Sequence, residues 1–293
     1  MANTIYDVRD AAITDFVAEA HMEFEAEQHD LDRTVRRREG VTGSSVKWQK
    51  IGKGDDMEPW NTGARGEVPT SEISHDNVSA DIDDLLRAIP VSKFDELKIN
   101  IDERAAVRRR LVNAGHRAID GKVAGAMVAS HGYLADKSAS GAIDLDHYEE
   151  LFQKMGDADV PDDGQRWGVL SYTGWTQLLT IGQVINRDYV AESELPFSGP
   201  RIPTVLDFYS FKNFVSPNLP MDTATVRWNF HYHQSCVGYA NQLPFNVVPS
   251  WIGEKHYWLF TAEMAHGATT IDKTGVFATK LAEGAGGGSF SAV

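Results

Sequence analysis

Residues 45–82 constrain the fold more than any other part of the chain. They hold two stretches of strand-like composition, 45–51 and 67–82, around a loop at 52–64 that contains Trp60. The wider region 41–82 is polar and rich in turn formers, with Gly43, Gly52, Gly54, Gly63 and Gly66. Pro69 restricts the second strand to an edge or a bulge. A two-stranded hairpin is marginal in water by itself, and its open edges invite pairing. Trp48, Trp60, Val68 and Ile73 therefore need a surface to rest on, supplied either by the same chain or by another subunit.

Helical patterns flank this hairpin. Over residues 11–39, Ile13, Phe16, Val17, Ala20, Phe24, Leu31 and Val35 recur at three- and four-residue steps, which predicts an amphipathic helix. Its acidic residues come early and Arg36, Arg37 and Arg38 come late, an order that suits the helix dipole. Such a helix lies on its own domain or reaches a neighbour as an arm. Residues 101–131 give the clearest helix, about 45 Å long at 1.5 Å per residue. Asn100 and Glu103 are spaced as in a capping box. Ile101, Ala105, Leu111, Val112, Gly115, Ala118, Ile119, Ala126 and Met127 form its apolar stripe. Arg108, Arg109 and Arg110 are consecutive, so they fan around the helix as a solvated face.

Residues 132–165 read as a linker region with one short helix at 145–155 and an acidic loop at 157–164. Beyond Trp167 the texture becomes mixed α/β: a strand at 167–171, a helix at 174–181, a turn-rich loop at 196–203, and strands at 205–214, 225–232, 256–262 and 275–281. The tail from Gly284 is glycine-rich and expected to be loose.

Charge narrows the partners. The net charge is −14, and all but one of the excess negative charges precede Arg166. A chain of this kind has no broad basic surface with which to coat DNA, which needs clustered Lys and Arg. The single cysteine, Cys236, excludes an intrachain disulfide. The N-terminus lacks a basic stretch followed by an apolar one, so no signal peptide is expected. No run of about 18 apolar residues offers a membrane span.

Three arrangements invite chemistry, and each has a plainer reading. His231 and His233 alternate on a strand and face one side, as metal ligands can, but zinc needs a third ligand and none stands nearby. The string from Gln234 to Gly238 resembles a caspase-type nucleophile only superficially, because the upstream histidine is out of register; Cys236 reads better as a small buried residue. Asp157, Asp159, Asp162 and Asp163 fail the calcium-loop pattern at Pro161 and Asp162. No nucleophile elbow, Walker A loop or dinucleotide fingerprint is present. No cofactor and no metal are expected.

The order of parts is a charged helical arm, a polar hairpin, a long helix, and then a compact α/β domain with a final strand. Several strings accompany this order: His116-Arg117-Ala118-Ile119-Asp120; Arg166 to Leu170 with the helix through Leu178 and Leu179; Arg187-Asp188-Tyr189 leading through Leu195 and Gly199 to Leu206 and Phe211; His231 to Ala240; and Gly267 to Val276. Order and strings together resemble the tailed-phage major capsid proteins of the Hong Kong 97 type. Asp207 departs from the pattern, standing where a glycine is expected, which bears on the local turn.

The resemblance implies an α+β fold with an N-terminal arm (1–42), an E-loop hairpin (43–82), a P-domain with its spine helix (83–137), an A-domain (138–254), returning P-domain strands (255–284) and a tail (285–293). It implies a structural subunit and not an enzyme. Such a subunit forms hexamers and pentamers of an icosahedral shell around double-stranded DNA, in the virion, after assembly in the host cytoplasm. Portal and scaffold or decoration proteins would be partners, with no membrane and no sequence-specific DNA binding. The expected intersubunit contacts are Arg36, Arg37, Arg38, Trp48, Trp60, Glu67, Val68, Glu72, Ile73, Arg108, Arg109 and Arg110. Lys47, Lys50 and Lys53 do not make up a complete cross-linking set, since the acid and Asn partners are not evident. Two alternatives remain at this point: an encapsulin-like compartment shell, and an α/β enzyme using His231, His233 and Cys236 near a metal.

Overall fold

A computed structural model describes residues 30–54, 72–93, 103–139, 141–185 and 203–283. The strands are β1 (Arg36–Glu39), β2 (Ser45–Ile51), β3 (His75–Asp81), β4 (Asp83–Ser92), β5 (Tyr133–Lys137), β6 (Arg166–Leu170), β7 (Val205–Phe208), β8 (Phe211–Val215), β9 (Met221–Thr223), β10 (Val226–His233), β11 (Val237–Ile252), β12 (Tyr257–Thr270) and β13 (Val276–Ala282). The helices are α1 (Glu103–Ala129), α2 (Leu145–Asp157), α3 (Tyr172–Leu178) and the single turn α4 (Gly182–Ile185). They build three sheets: four strands in the order β1-β11-β12-β4, seven strands ordered β5-β13-β10-β6-β8-β7 with β9 also on β10, and the β2–β3 hairpin.

The seven-stranded sheet is covered on both faces, so its central strand β10 is buried almost throughout, polar Asn229, His231 and His233 included, rather than alternating buried and exposed. Phe230 and Tyr232 of β10, with Val276 and Ala278 of β13, meet Val123, Ala124 and Met127 from the second half of α1. On the opposite face Phe277 and Leu281 meet Tyr148, Leu151 and Met155 of α2 and Trp175 and Leu178 of α3. Asp144 caps α2 by accepting from the His147 backbone N–H at 3.0 Å, and Ser171 caps α3 from Gly174 at 3.2 Å. The first half of α1 turns a different side down: Val107 and Leu111 pack on Val91, Phe260 and Ala262 of the four-stranded sheet. Gly115 permits this approach, because a Cβ there would lie 2.5 Å from the Phe245 ring. One long helix thus joins both sheets.

Several expectations need correction. The helix predicted to Gly40 does not reach it: residues 31–33 form one 3-10 turn and Arg36–Glu39 is a strand pairing parallel with β11. Four consecutive charged residues offer no apolar side to bury as a helix, whereas the edge of β11 needs backbone partners. Leu31 and Val35 are buried, as their spacing suggests; residues 11–29 lie outside the described residues. The stripe of α1 is also revised. Ala105 is exposed, and Val107, Val123 and Ala124 are buried. Asn100 and Ile101 lie outside the described residues.

Residues 133–137, which read as linker, are an edge strand pairing parallel with β13. The strand expected over 205–214 is a hairpin, β7–β8, because Tyr209 and Ser210 both have positive φ (50° and 63°), the signature of a tight two-residue turn. No glycine announces it. The Tyr209 ring instead packs on Phe208 and Phe152, and its hydroxyl donates to Glu149 at 3.2 Å. Asp207, which stands in place of the expected glycine, sits in β7 opposite Lys212. The 16-residue β11 has no counterpart among the predicted strands. Its ladder with β12 shifts register around Leu243, where Pro244 interrupts the strand pattern. β11 and β12 share the four-stranded sheet, so a boundary at 254 and 255 divides one hairpin, while β13 joins the seven-stranded sheet.

Candidate functional site: assembly surfaces

The hairpin formed by β2 and β3 is the feature expected to need another subunit. Its register runs from Ser45 opposite Asp81 to Ile51 opposite His75. Alternation puts Val46 and Trp48 of β2 on one face. That face is satisfied within the chain: Val46, Trp48 and Ala80 cluster with Ala240 and Ile271. Trp48 is only 4% exposed. Its indole lies over Gly238, where a Cβ would come within 2.8 Å of the ring. Lys50 pairs with Asp272 at 2.9 Å and Lys53 with Asp159 at 2.5 Å. The expectation that Trp48 faces another copy is therefore corrected: its resting surface is the chain's own β11 and the turn before β13. Trp60, Glu67 and Val68 lie outside the described residues.

The hairpin's far end differs. Glu72 and Ile73 precede β3 and are exposed, Ile73 by 62%. In β3 itself only Ala80, near the base, is buried. The other expected contact residues are spread over separate surfaces and form no single patch. Arg36, Arg37 and Arg38 stand exposed on edge strand β1, where Arg37 pairs with Asp32 at 3.1 Å and Glu39 at 2.7 Å. Arg108, Arg109 and Arg110 are exposed on the first half of α1.

Two exposed apolar places, among several on the described surface, are absent from the sequence expectations. Leu85 and Leu86 stand on β4. Trp251, at the far end of the β11–β12 ribbon, is 41% exposed and pairs across it with Trp258 at 5.4 Å. Lys93 and Arg104 lie over these two rings. Two tryptophans flanking a Gly-Glu-Lys turn are the available signal for the second.

The groups that could suggest catalysis are engaged in packing. His231 and His233 do share one side of β10. His231 is enclosed by Tyr148, Phe211 and His147, with ring centroids 5.4, 5.2 and 6.0 Å away. Neither of its nitrogens has a hydrogen-bond partner among the described residues, and burial holds its pKa well below the ordinary value. His233 accepts the Ser235 backbone N–H on Nδ1 at 3.3 Å, so Nε2 carries the proton that it donates to Asp163 at 3.0 Å. This ring braces the acidic loop against β10. Cys236 is buried, and burial pushes its thiol up to about 11, away from nucleophilic reactivity. Asp159 and Asp163 of the acidic loop answer Lys53 and His233. Among the described residues no cluster of three metal-ligating side chains occurs.

Comparison with known proteins agrees with this arrangement. A family model of phage capsid proteins matches residues 8–283. Among solved structures, the capsid of cyanophage P-SCSP1u superposes with a TM-score of 0.70 at 15% identity, covering 94% of each chain. Mycobacterium phage Che8 gives 0.70 at 18% identity, covering 92% of this chain and 98% of the other. The cyanophage Pam1 capsid gives 0.68 at 11% identity, covering 96% and 99%. No curated protein matches the sequence. The fold is of the Hong Kong 97 type, and a structural shell subunit is favoured over both an encapsulin-like compartment and an enzyme. With its matched region running almost end to end, the chain belongs to the phage capsid protein family.

Proposed function

We propose that this major capsid protein assembles as hexamers and pentamers into an icosahedral head that encloses double-stranded DNA. Assembly takes place in the host cytoplasm, with a portal and a scaffold or decoration protein as partners. In this reading α1 and the four-stranded sheet form the P-domain, the seven-stranded sheet with α2 and α3 forms the A-domain, and β2–β3 is the base of the E-loop. The observation that carries it is the hairpin's asymmetry: a base plugged by Trp48 and a far end that leaves Glu72 and Ile73 in water. The far end lies over a neighbouring copy.

Arg36, Arg37 and Arg38, and the arginines at 108–110, meet acidic groups such as Glu67 and Glu72 of adjacent copies. Each contact is modest, and multivalency raises the overall association. The net charge of −14 leaves the enclosed DNA without a broad basic coat, so the DNA is held without extensive phosphate contacts, and no sequence-specific binding is proposed. Size-exclusion chromatography with light scattering, run across ionic strengths, tests the reading. Assemblies should shift toward free subunits as salt screens the exposed pairs. A particle population indifferent to salt would assign assembly to apolar contacts alone, and a persistent monomer would overturn the proposal.

A further inference from the structure

Beneath one flank of α1 lies an apolar cavity of about 260 Å³, walled by Leu111, Ala114 and Ala118 of the helix, Leu86 of β4, and Phe245 and Met264 of the sheet. Leu86 is 71% exposed at its edge. A second, polar cavity shares Phe245 and Met264 as walls and contains Asp32, His116 and Ile119. The two hollows therefore adjoin along α1. The described chain begins at Asp30, and the 3-10 turn that follows packs on α1 at the polar cavity. The described chain thus starts close to His116 and Ile119, and Ala118 of the apolar cavity is their neighbour along α1.

We propose that the amphipathic segment at residues 13–24 of the same chain packs along the first half of α1 and seats its apolar side in this cavity. Three observations support it. Ile13, Phe16, Val17, Ala20 and Phe24 fall on one side of a helix, giving an apolar face about 18 Å long at 1.5 Å per residue. The six residues from Phe24 to Asp30 span up to about 20 Å when extended, so the connection reaches along α1. Charge also matches: residues 1–29 carry seven acidic side chains and one basic, whereas α1 carries six basic and two acidic. Seating the segment covers Leu86. This is a contact within one chain, and it holds whether or not the subunit is in a shell.

Cysteine cross-linking in the full chain tests it. In a Cys236→Ala background, Leu86→Cys is paired in turn with Phe16→Cys, Ala20→Cys, or Asp15→Cys on the opposite side of the helix. With a short bismaleimide, the first two pairs should give intramolecular products several-fold above the third, running as monomers on a denaturing gel. Equal yields at all three positions, or products only of dimer mass, would overturn the proposal; the latter would place the segment on a second copy. Thiol reactivity supplies a second reading. Leu86→Cys should react several-fold faster with a soluble maleimide when Phe16 and Ala20 are both changed to Asp, and an unchanged rate counts against the docking.

Discussion

The seven-stranded sheet and the β2–β3 hairpin are built on opposite terms. Strand β10 buries all but one of its eight residues between two layers of helix, whereas β3 buries one of seven. The sheet draws its stability from apolar surface removed on both faces. The hairpin draws its stability from one indole and two small side chains packed on the body, and from two lysine bridges toward its loop end, Lys50–Asp272 and Lys53–Asp159. A subunit of this design can hold its body fixed while one extension remains available to a neighbour.

Substitutions separate the two regions. Phe230→Ala removes a fully buried ring from the sheet core and should lower global stability by about 3–5 kcal/mol, read as a shifted midpoint in denaturant with CD as the probe. Trp48→Ala removes a comparable ring from the hairpin base, yet its expected signature is local: limited proteolysis near Gly52 and Lys53 accelerates while the global transition moves less. Equal global shifts for both would show that hairpin and body unfold as one unit.

Mild acid, above the carboxylate range that holds the hairpin's lysine bridges, should probe the body. His147 is held at about 4 by burial, with the charge of Lys137 adding to the effect, and His231 lies well below the ordinary value of 6.5. Unfolding raises both toward that value, so the unfolded chain binds protons that the folded core refuses. Stability is then full above about pH 6.5 and falls as pH drops, until His147 protonates in the folded state near pH 4. The His147 shift alone corresponds to about 3 kcal/mol across this window. His231→Leu should flatten the slope, and an unchanged slope would assign the acid sensitivity to other groups. The smallest effect belongs to the hairpin's bridges. Lys50→Met breaks a half-exposed pair with Asp272 and should cost below about 1 kcal/mol, detectable as faster hairpin proteolysis at low salt and lost at high salt.

The sequence discloses those elements whose signals are local. The strand at Ser45–Ile51 is legible to the residue, and α1 and α2 within a few residues, because alternation and helical spacing survive without tertiary context. Features set by distant partners stay hidden. Arg36–Glu39 is a strand because the edge of β11 accepts it. The Tyr209–Ser210 turn is held by rings from α2 and β7 rather than by glycine. The partner of Trp48 is Gly238, on a strand whose prolines mask it. The exposure of the arginines, Glu72 and Ile73 is legible from polarity and position; the burial of Trp48 is not, since exposure of an aromatic side chain depends on the surface opposite it.

Negative-stain electron microscopy of the purified full-length protein tests the central claim most directly. A shell subunit whose hairpin bridges copies yields closed particles of uniform diameter. A field of isolated subunits of about 32 kDa, unchanged across salt and protein concentration, would contradict it.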